Sequence, residues 1–377
     1  MYYKIITSLL FFFTTLQVGA QQYKSVLPYR VVGGKMIVEM IMNGTVRSFI
    51  FDTGGRTALT GEICEELGLS VVDSLMVTDV NSKKAAYPLV TIESLMTSDR
   101  KVNFKNVSAM KLPKPTPFEC FNTDGLIGSD LLVQTIVEID GKAKTITLTS
   151  AEKPSSVSLR KMLPFKKSGM PIIVLQAGVG NNIVALFDTG CPGFFSLKNS
   201  DYENLRGTGA FRVLSEGYRE GAIGVAGMAE ANISHRVCFP VLSVGGTKFQ
   251  NVTSETATPP FTLLGVKLLD YGKVTLDYPR ARFYFEAKEN ENDIASKRYN
   301  VALRVHNGEL MISAVWGEMK GVVEVGDKIT HINGKPVGIY DFCDSIINGI
   351  PELQAKKKTK LTVRAKQGEK VIVYQKE

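Results

Sequence analysis

Two aspartates stand in one repeated frame, Phe51-Asp52-Thr53-Gly54 and Phe187-Asp188-Thr189-Gly190, a shift of 136 positions from 52 to 188. In each copy an apolar run ends on the carboxylate and a glycine follows two residues later. That pattern places the Asp at a strand end beside a tight turn, where another backbone can come close. Two such elements in pseudo-twofold arrangement would bring Asp52 and Asp188 face to face. Like charges so near cannot both ionise comfortably, so one pKa rises, one falls, and the pair holds a single proton over a broad range. The ionised carboxylate can take a proton from a water while its protonated partner donates to a carbonyl oxygen. Attack by that water on an amide gives a tetrahedral intermediate, and proton transfer to the nitrogen completes cleavage. The scheme calls for no metal and no cofactor.

To position such a pair, the chain must fold the same way twice, and the sequence repeats accordingly. β-rich runs at 37–42 and 172–177 precede the two frames. Phe104-Lys105-Asn106-Val107 is answered by Phe249-Gln250-Asn251-Val252, and Leu126-Ile127-Gly128 by Leu263-Leu264-Gly265. Each half closes on alternating runs, 136–140 with 145–148 in the first and 274–277 with 282–285 in the second. Short runs divided by Gly and Pro turns describe an all-β unit with a closed or sandwiched sheet. These matches identify a duplication over residues 23–150 and 157–286, joined by Lys153-Pro154-Ser155-Ser156. Residues 287–295 are polar and charged, as suits a solvated linker, and 296–377 form a third unit.

Composition bounds the alternatives. At 377 residues, 44% hydrophobic and 22% charged, the chain has core enough for two or three domains and is not mostly disordered. The formal charge of +8 is diffuse, so no nucleic-acid partner is expected. The five cysteines (64, 120, 191, 238 and 343) contain no close pair suited to zinc, and three histidines offer neither a metal cluster nor an easy Ser-His-Asp triad. The odd cysteine count leaves at least one thiol without a partner in the chain. At the start, Lys4, an apolar stretch over 5–16 and Val18-Gly19-Ala20 describe a signal peptide over residues 1–20, with an uncleaved anchor as the alternative. No other stretch reaches the roughly 20 apolar residues of a spanning helix, so the expectation is a secreted or periplasmic protein with no stable membrane span after cleavage.

The paired frames, each followed by its Leu-Ile-Gly or Leu-Leu-Gly element, resemble the aspartic peptidases, and the short halves are similar to the retropepsin-like branch with two copies in one chain. The resemblance covers about two thirds of the chain. It implies Asp52 and Asp188 as a catalytic dyad, Thr53 and Thr189 cross-bonding beneath them, Gly54 and Gly190 keeping the turns tight, and the two hydrophobic-Gly elements supporting the Asp loops from below. It further implies β-hairpin flaps, with candidates at residues 78–84 and 221–227. Many members carry Ser, Thr or Ala after Asp-Thr-Gly, where this chain has Gly55 and Cys191.

In the third unit, Val325-Gly326-Asp327 followed by Ile332-Asn333-Gly334 is similar to a segment of PDZ domains. Asp341 to Ile347 fits the helix that follows. The resemblance implies a peptide end added to a sheet edge, with Tyr299, Asn300, Val301 and Ala302 in the place of the loop and strand that hold it. Asn300 stands where that loop usually has Gly. A purely structural unit packed on the peptidase is the other reading.

The fold class expected is mainly β: two tandem retropepsin-like closed β-barrel halves forming a pseudo-twofold peptidase, plus a PDZ-like α+β domain. The function expected is an aspartic endopeptidase acting on a peptide or protein substrate, with a possible peptide ligand for the PDZ-like part. The competing class is a non-catalytic extracytoplasmic peptide-binding protein using the same cleft.

Overall fold

Strands dominate because apolar residues alternate with polar ones in most runs and turn residues divide them. Strand Lys24–Val32 shows the pattern, turning Ser25, Leu27 and Tyr29 inward and their neighbours to solvent. The computed structural model describes residues 22–150, 161–167, 169–224, 227–228, 230–354 and 358–377. The expected signal peptide and the connector at 153–156 lie outside the described residues. Strand accounts for 54% and helix for 12%, so the chain is mainly β, and its strands curl into closed barrels.

Both sequence repeats follow one strand plan. In the first, Thr45–Asp52 pairs antiparallel with Lys35–Met42 and parallel with Gly125–Gly128. In the second, Asn181–Asp188 pairs antiparallel with Ile172–Ala177 and parallel with Thr262–Gly265. The repeated Asn also has a structural reason. Asn106 (φ 50°) and Asn251 (φ 55°) occupy the left-handed region, which Asn tolerates better than most residues. Each lies opposite a residue of the preceding strand, Glu93 for Asn106 and Pro240 for Asn251, at the one step where the ladder is interrupted without a change of register. Each is therefore a local break in pairing within an arm whose register is kept on both sides.

The halves join through a common sheet, in the order Leu163–Pro164, Arg282–Ala287, Gly272–Asp277, Ile136–Asp140, Thr145–Thr149 and Lys24–Val32. The pseudo-twofold passes between Ile136–Asp140 and Gly272–Asp277, which pair antiparallel. Val137, Ile139, Val274 and Leu276 there are fully buried, within one core that spans both halves. Burial of each such side chain is worth about 1.5–3 kcal/mol, so the halves are held as one body.

Residues 301–375 build a separate core from Val301–His306, Glu309–Trp316, Lys328–Ile332, Lys358–Ala365 and Gly368–Gln375. Its helix Phe342–Asn348 is capped by Asp341, whose carboxylate accepts the Asp344 N–H at 2.7 Å. The segment expected as a solvated linker is mostly exposed, yet Glu291–Asp293 pairs with Thr247–Ala257 as a short strand.

This C-terminal unit is fastened twice. Glu309–Trp316 pairs with Arg212–Arg219 of the second half, Gly217 opposite Trp316. Gly217 is needed at this crossing, because a Cβ there would lie 2.3 Å from the Trp316 ring. On the other side, Cys120 of the first half is disulfide-bonded to Cys343 of the helix, 223 positions away, and Phe342 and Ile346 pack beside it on the Phe121 cluster. Cys64, Cys191 and Cys238 are free. A crosslink closing so long a loop restricts the unfolded chain strongly. Replacing Cys120 and Cys343 together by Ser is expected to cost about 2–5 kcal/mol, measured as a lower urea midpoint than the oxidised protein shows.

Candidate active site

Each aspartate ends a strand that is covered on both faces, which is why the three residues before it are apolar without alternation. Phe49, Ile50 and Phe51 are buried, as are Ala185, Leu186 and Phe187. The parallel neighbours set Gly128 opposite Asp52 and Gly265 opposite Asp188. Neither glycine leaves room for a side chain. A Cβ on Gly128 would lie 2.3 Å from the Arg56 carbonyl carbon, and one on Gly265 would lie 2.2 Å from the Gly193 oxygen.

Past each Asp the chain turns sharply. The Gly54 N–H donates to Asp52 Oδ1 at 2.9 Å and the Gly190 N–H to Asp188 Oδ1 at 2.7 Å. A Cβ on Gly54 would stand 2.5 Å from Asp188 Cγ, and one on Gly190 2.6 Å from Asp52 Oδ2. Each glycine is thus the floor beneath the opposite carboxylate. Below this level the two threonines cross over. The Thr53 hydroxyl accepts the Thr189 N–H at 3.1 Å and donates to the Phe187 carbonyl at 2.8 Å. The Thr189 hydroxyl accepts the Thr53 N–H at 3.0 Å and donates to the Phe51 carbonyl at 2.8 Å. Both threonines are wholly buried.

The Asp52 and Asp188 carboxyl groups face each other over the two glycines and are half-buried. Burial, followed by the Asp52 charge, pushes Asp188 up to about 8, while the Lys35 ammonium and the Gly190 N–H pull it down. The pair therefore holds its last proton well above the usual carboxylate range. Burial also pushes the Cys191 thiol up to about 12, with the Asp188 charge adding to it, which leaves this cysteine a protonated, inert neighbour. At Gly55 a Cβ would stand 3.0 Å from Cγ and Oδ2 of Asp52, so the missing side chain lets the carboxylate settle against the turn.

Sequence reasoning missed several supports. Lys35 opens the strand Lys35–Met42 and its ammonium donates to the Gly190 carbonyl, at the edge of the dyad. The corresponding place in the second half holds Met170-Pro171, so repeat matching gave no signal for a cation. Asp130 accepts from the Thr57 N–H at 2.8 Å and the Thr57 hydroxyl at 2.9 Å, tying down the loop after Asp52. Ser129 donates to the Thr53 carbonyl and lies 3.1 Å from the Tyr278 hydroxyl of the other half. A polar pair directly after Leu-Ile-Gly was the one hint available.

The flap candidates touch each other. The tip between strands Asp73–Thr78 and Lys84–Thr97 is wound around Asp79, which accepts the N–H groups of Asn81 at 2.8 Å and Lys83 at 2.9 Å. Asn81 then donates to the Ala222 carbonyl at 2.8 Å, and Ser82 to the Thr258 carbonyl at 2.6 Å. Residues 225–226 of the second candidate lie outside the described residues.

The candidate loop of the C-terminal unit is internally committed. All four polar groups of the buried Asn300 are used: its N–H on Gln375, its carbonyl by Trp316, its Nδ2 on Val373 and its Oδ1 by Gln375. Tyr299 stacks on Tyr374 with ring centroids 4.2 Å apart. Val301 and Ala302 pair with Val315 and Ala314. An Asn in place of Gly thus spends the amide on the neighbouring strand Gly368–Gln375. Among the described residues no group of side chains could hold a metal ion, and no helix is long and apolar enough to cross a membrane.

Neither the family models nor the curated proteins contain a match to this chain. Among solved structures it is similar to a retropepsin-like aspartic protease from Rickettsia conorii, at 20% identity and a TM-score of 0.26, over 34% of this chain and 92% of that one.

Removing one threonine hydroxyl strands a buried N–H of the other half. Thr53→Val and Thr189→Val are each expected to cost about 1–3 kcal/mol in urea unfolding, and the double variant less than the sum of the two.

Proposed function

We propose that the chain is an aspartic endopeptidase of two retropepsin-like halves followed by a PDZ-like unit, acting on peptide or protein substrates outside the cytoplasm. The observation that carries this reading is the facing pair Asp52–Asp188, one strand end from each half, with the Asp188 carboxyl pushed up by burial and by the Asp52 charge. Asp52 is the base that takes a proton from the attacking water, and Asp188 the acid that donates to the carbonyl oxygen. The tetrahedral intermediate then collapses as the leaving nitrogen is protonated. An extended peptide would lie in the cleft with its side chains alternating between opposite walls. The touching tips around Asn81 and Ala222 are the lid, which must part to admit it. The Cys120–Cys343 bond suits an oxidising compartment.

Asp52→Asn and Asp188→Asn are each expected to abolish cleavage of a diverse peptide mixture read by mass spectrometry. If the wild-type protein cuts nothing between acidic and neutral pH while still binding peptides, the chain is a receptor and the peptidase reading is wrong.

The working dyad holds one proton, so activity falls as pH rises through about 8 and Asp188 loses it. Lys35 lowers that value, so Lys35→Met is expected to move the alkaline limb of the pH–rate profile upward by about one unit. A profile unmoved by this change would show that the ammonium does not act on the dyad.

A further inference from the structure

A cavity of about 330 Å³ lies between the second half and the C-terminal unit. Four guanidinium groups line it, those of Arg219, Arg236, Arg298 and Arg304, against two carboxylates, Glu220 and Glu255. Glu255 takes Arg236 at 2.9 Å and Arg219 at 3.1 Å, while Glu220 takes Arg304 at 3.0 Å. Arg298 donates to the Thr253 carbonyl at 3.2 Å and makes no ion pair among the described residues. The exposed Glu377 is within electrostatic reach of Arg236, yet it forms no ion pair with any of the four among the described residues. The lining therefore carries more positive than negative charge.

Part of that surplus is poorly solvated, because the single carboxylate of Glu255 is shared by Arg219 and Arg236. Arg236 is only 7% exposed, and burial pulls its pKa and that of Arg304 downward. Charge withdrawn from water in this way is costly unless an anion completes it. Arg236 also lies over the Trp316 ring, 4.2 Å from its centroid, so its plane is fixed before any ligand arrives. The guanidinium fork matches a planar carboxylate in two-point contact. Beside it the stacked rings of Tyr299 and Tyr374 offer an apolar face for the remainder of the ligand.

We propose that this cavity is a binding site for a peptide-borne carboxylate, either a chain end or an acidic side chain, held by Arg298 together with the paired arginines. The site stands at the root of the second flap. The strand Arg212–Arg219 leads through Glu220 to Gly221, whose carbonyl accepts from Arg304 at 3.3 Å, and the Glu220 N–H is held by Ser313 at 2.9 Å. It stands whether or not the dyad cuts peptide bonds.

Trp316 is the single tryptophan of the chain, so its emission in the full-length protein reports on this cavity directly. Three N-acetylated tripeptides serve as probes: one with a free terminal carboxylate, its amide, and an amide carrying a glutamate side chain, with inorganic phosphate alongside. A saturable change is expected with one or both carboxylate peptides and none with the neutral amide, and which acid responds identifies the source. Arg298→Gln is expected to weaken that binding about tenfold, with partial recovery in Arg298→Lys. Arg298 is exposed, so circular dichroism should show both variants folded. The proposal is overturned if the neutral amide binds as well as the acids, if phosphate binds while neither acid does, if Arg298→Gln binds like wild type, or if no probe changes the emission up to about 10 mM.

Discussion

Two carboxyl groups in contact repel once both are charged, so something other than their own attraction must hold them together. In this molecule it is the exchange of hydroxyl groups between Thr53 and Thr189. Each hydroxyl reaches into the opposite half, accepts one backbone N–H and donates to one backbone carbonyl. Two short, branched side chains bonded to main chain of the opposite half therefore fix the spacing of the pair. A buried N–H without a partner costs about 1–3 kcal/mol, so neither half can relax away from the other cheaply. The glycines at 54 and 190 follow from the same closeness, since a methyl group at either would displace the facing carboxylate.

Around this symmetric centre the supports are unequal. The loop after Asp52 is tied by side chains, with Asp130 holding Thr57 and Arg56 reaching Asp130 at 3.4 Å. The loop after Asp188 is tied mainly through backbone, the Val266 N–H donating to the Cys191 carbonyl at 2.9 Å and the Gly265 N–H to the Phe194 carbonyl at 2.8 Å. Lys35 adds a cation on one side only. Identical carboxylates in unlike surroundings acquire unlike proton affinities, and that difference separates an acid from a base.

Much of the centre could be read from residue order because duplication writes the same local requirement twice. The Asp-Thr-Gly frames, the hydrophobic-Gly elements and the left-handed Asn at each break in the ladder recur for backbone reasons, and a backbone reason survives in sequence. Contacts between different repeats leave no such trace. Nothing near Cys120 or Cys343 points to its partner 223 positions away, and nothing in Lys35 announces the carbonyl it meets. The Asn300 loop shows the opposite failure. Its surroundings match a peptide-holding loop, yet one side chain ties the segment to Gly368–Gln375, and pattern cannot tell a spent amide from a free one.

The antiparallel seam between Arg212–Arg219 and Glu309–Trp316 has a consequence for how the protein is built. A hairpin arm with one ladder unfilled is a sticky margin, prone to recruit another copy. Here that margin is closed from within the same polypeptide, and Gly217 is hollowed to admit Trp316. A shortened chain lacking the last eighty or so residues would bare both the notch and its rim, inviting end-to-end association. The terminal module is thus a selvedge, finishing a fabric that would otherwise fray into polymer.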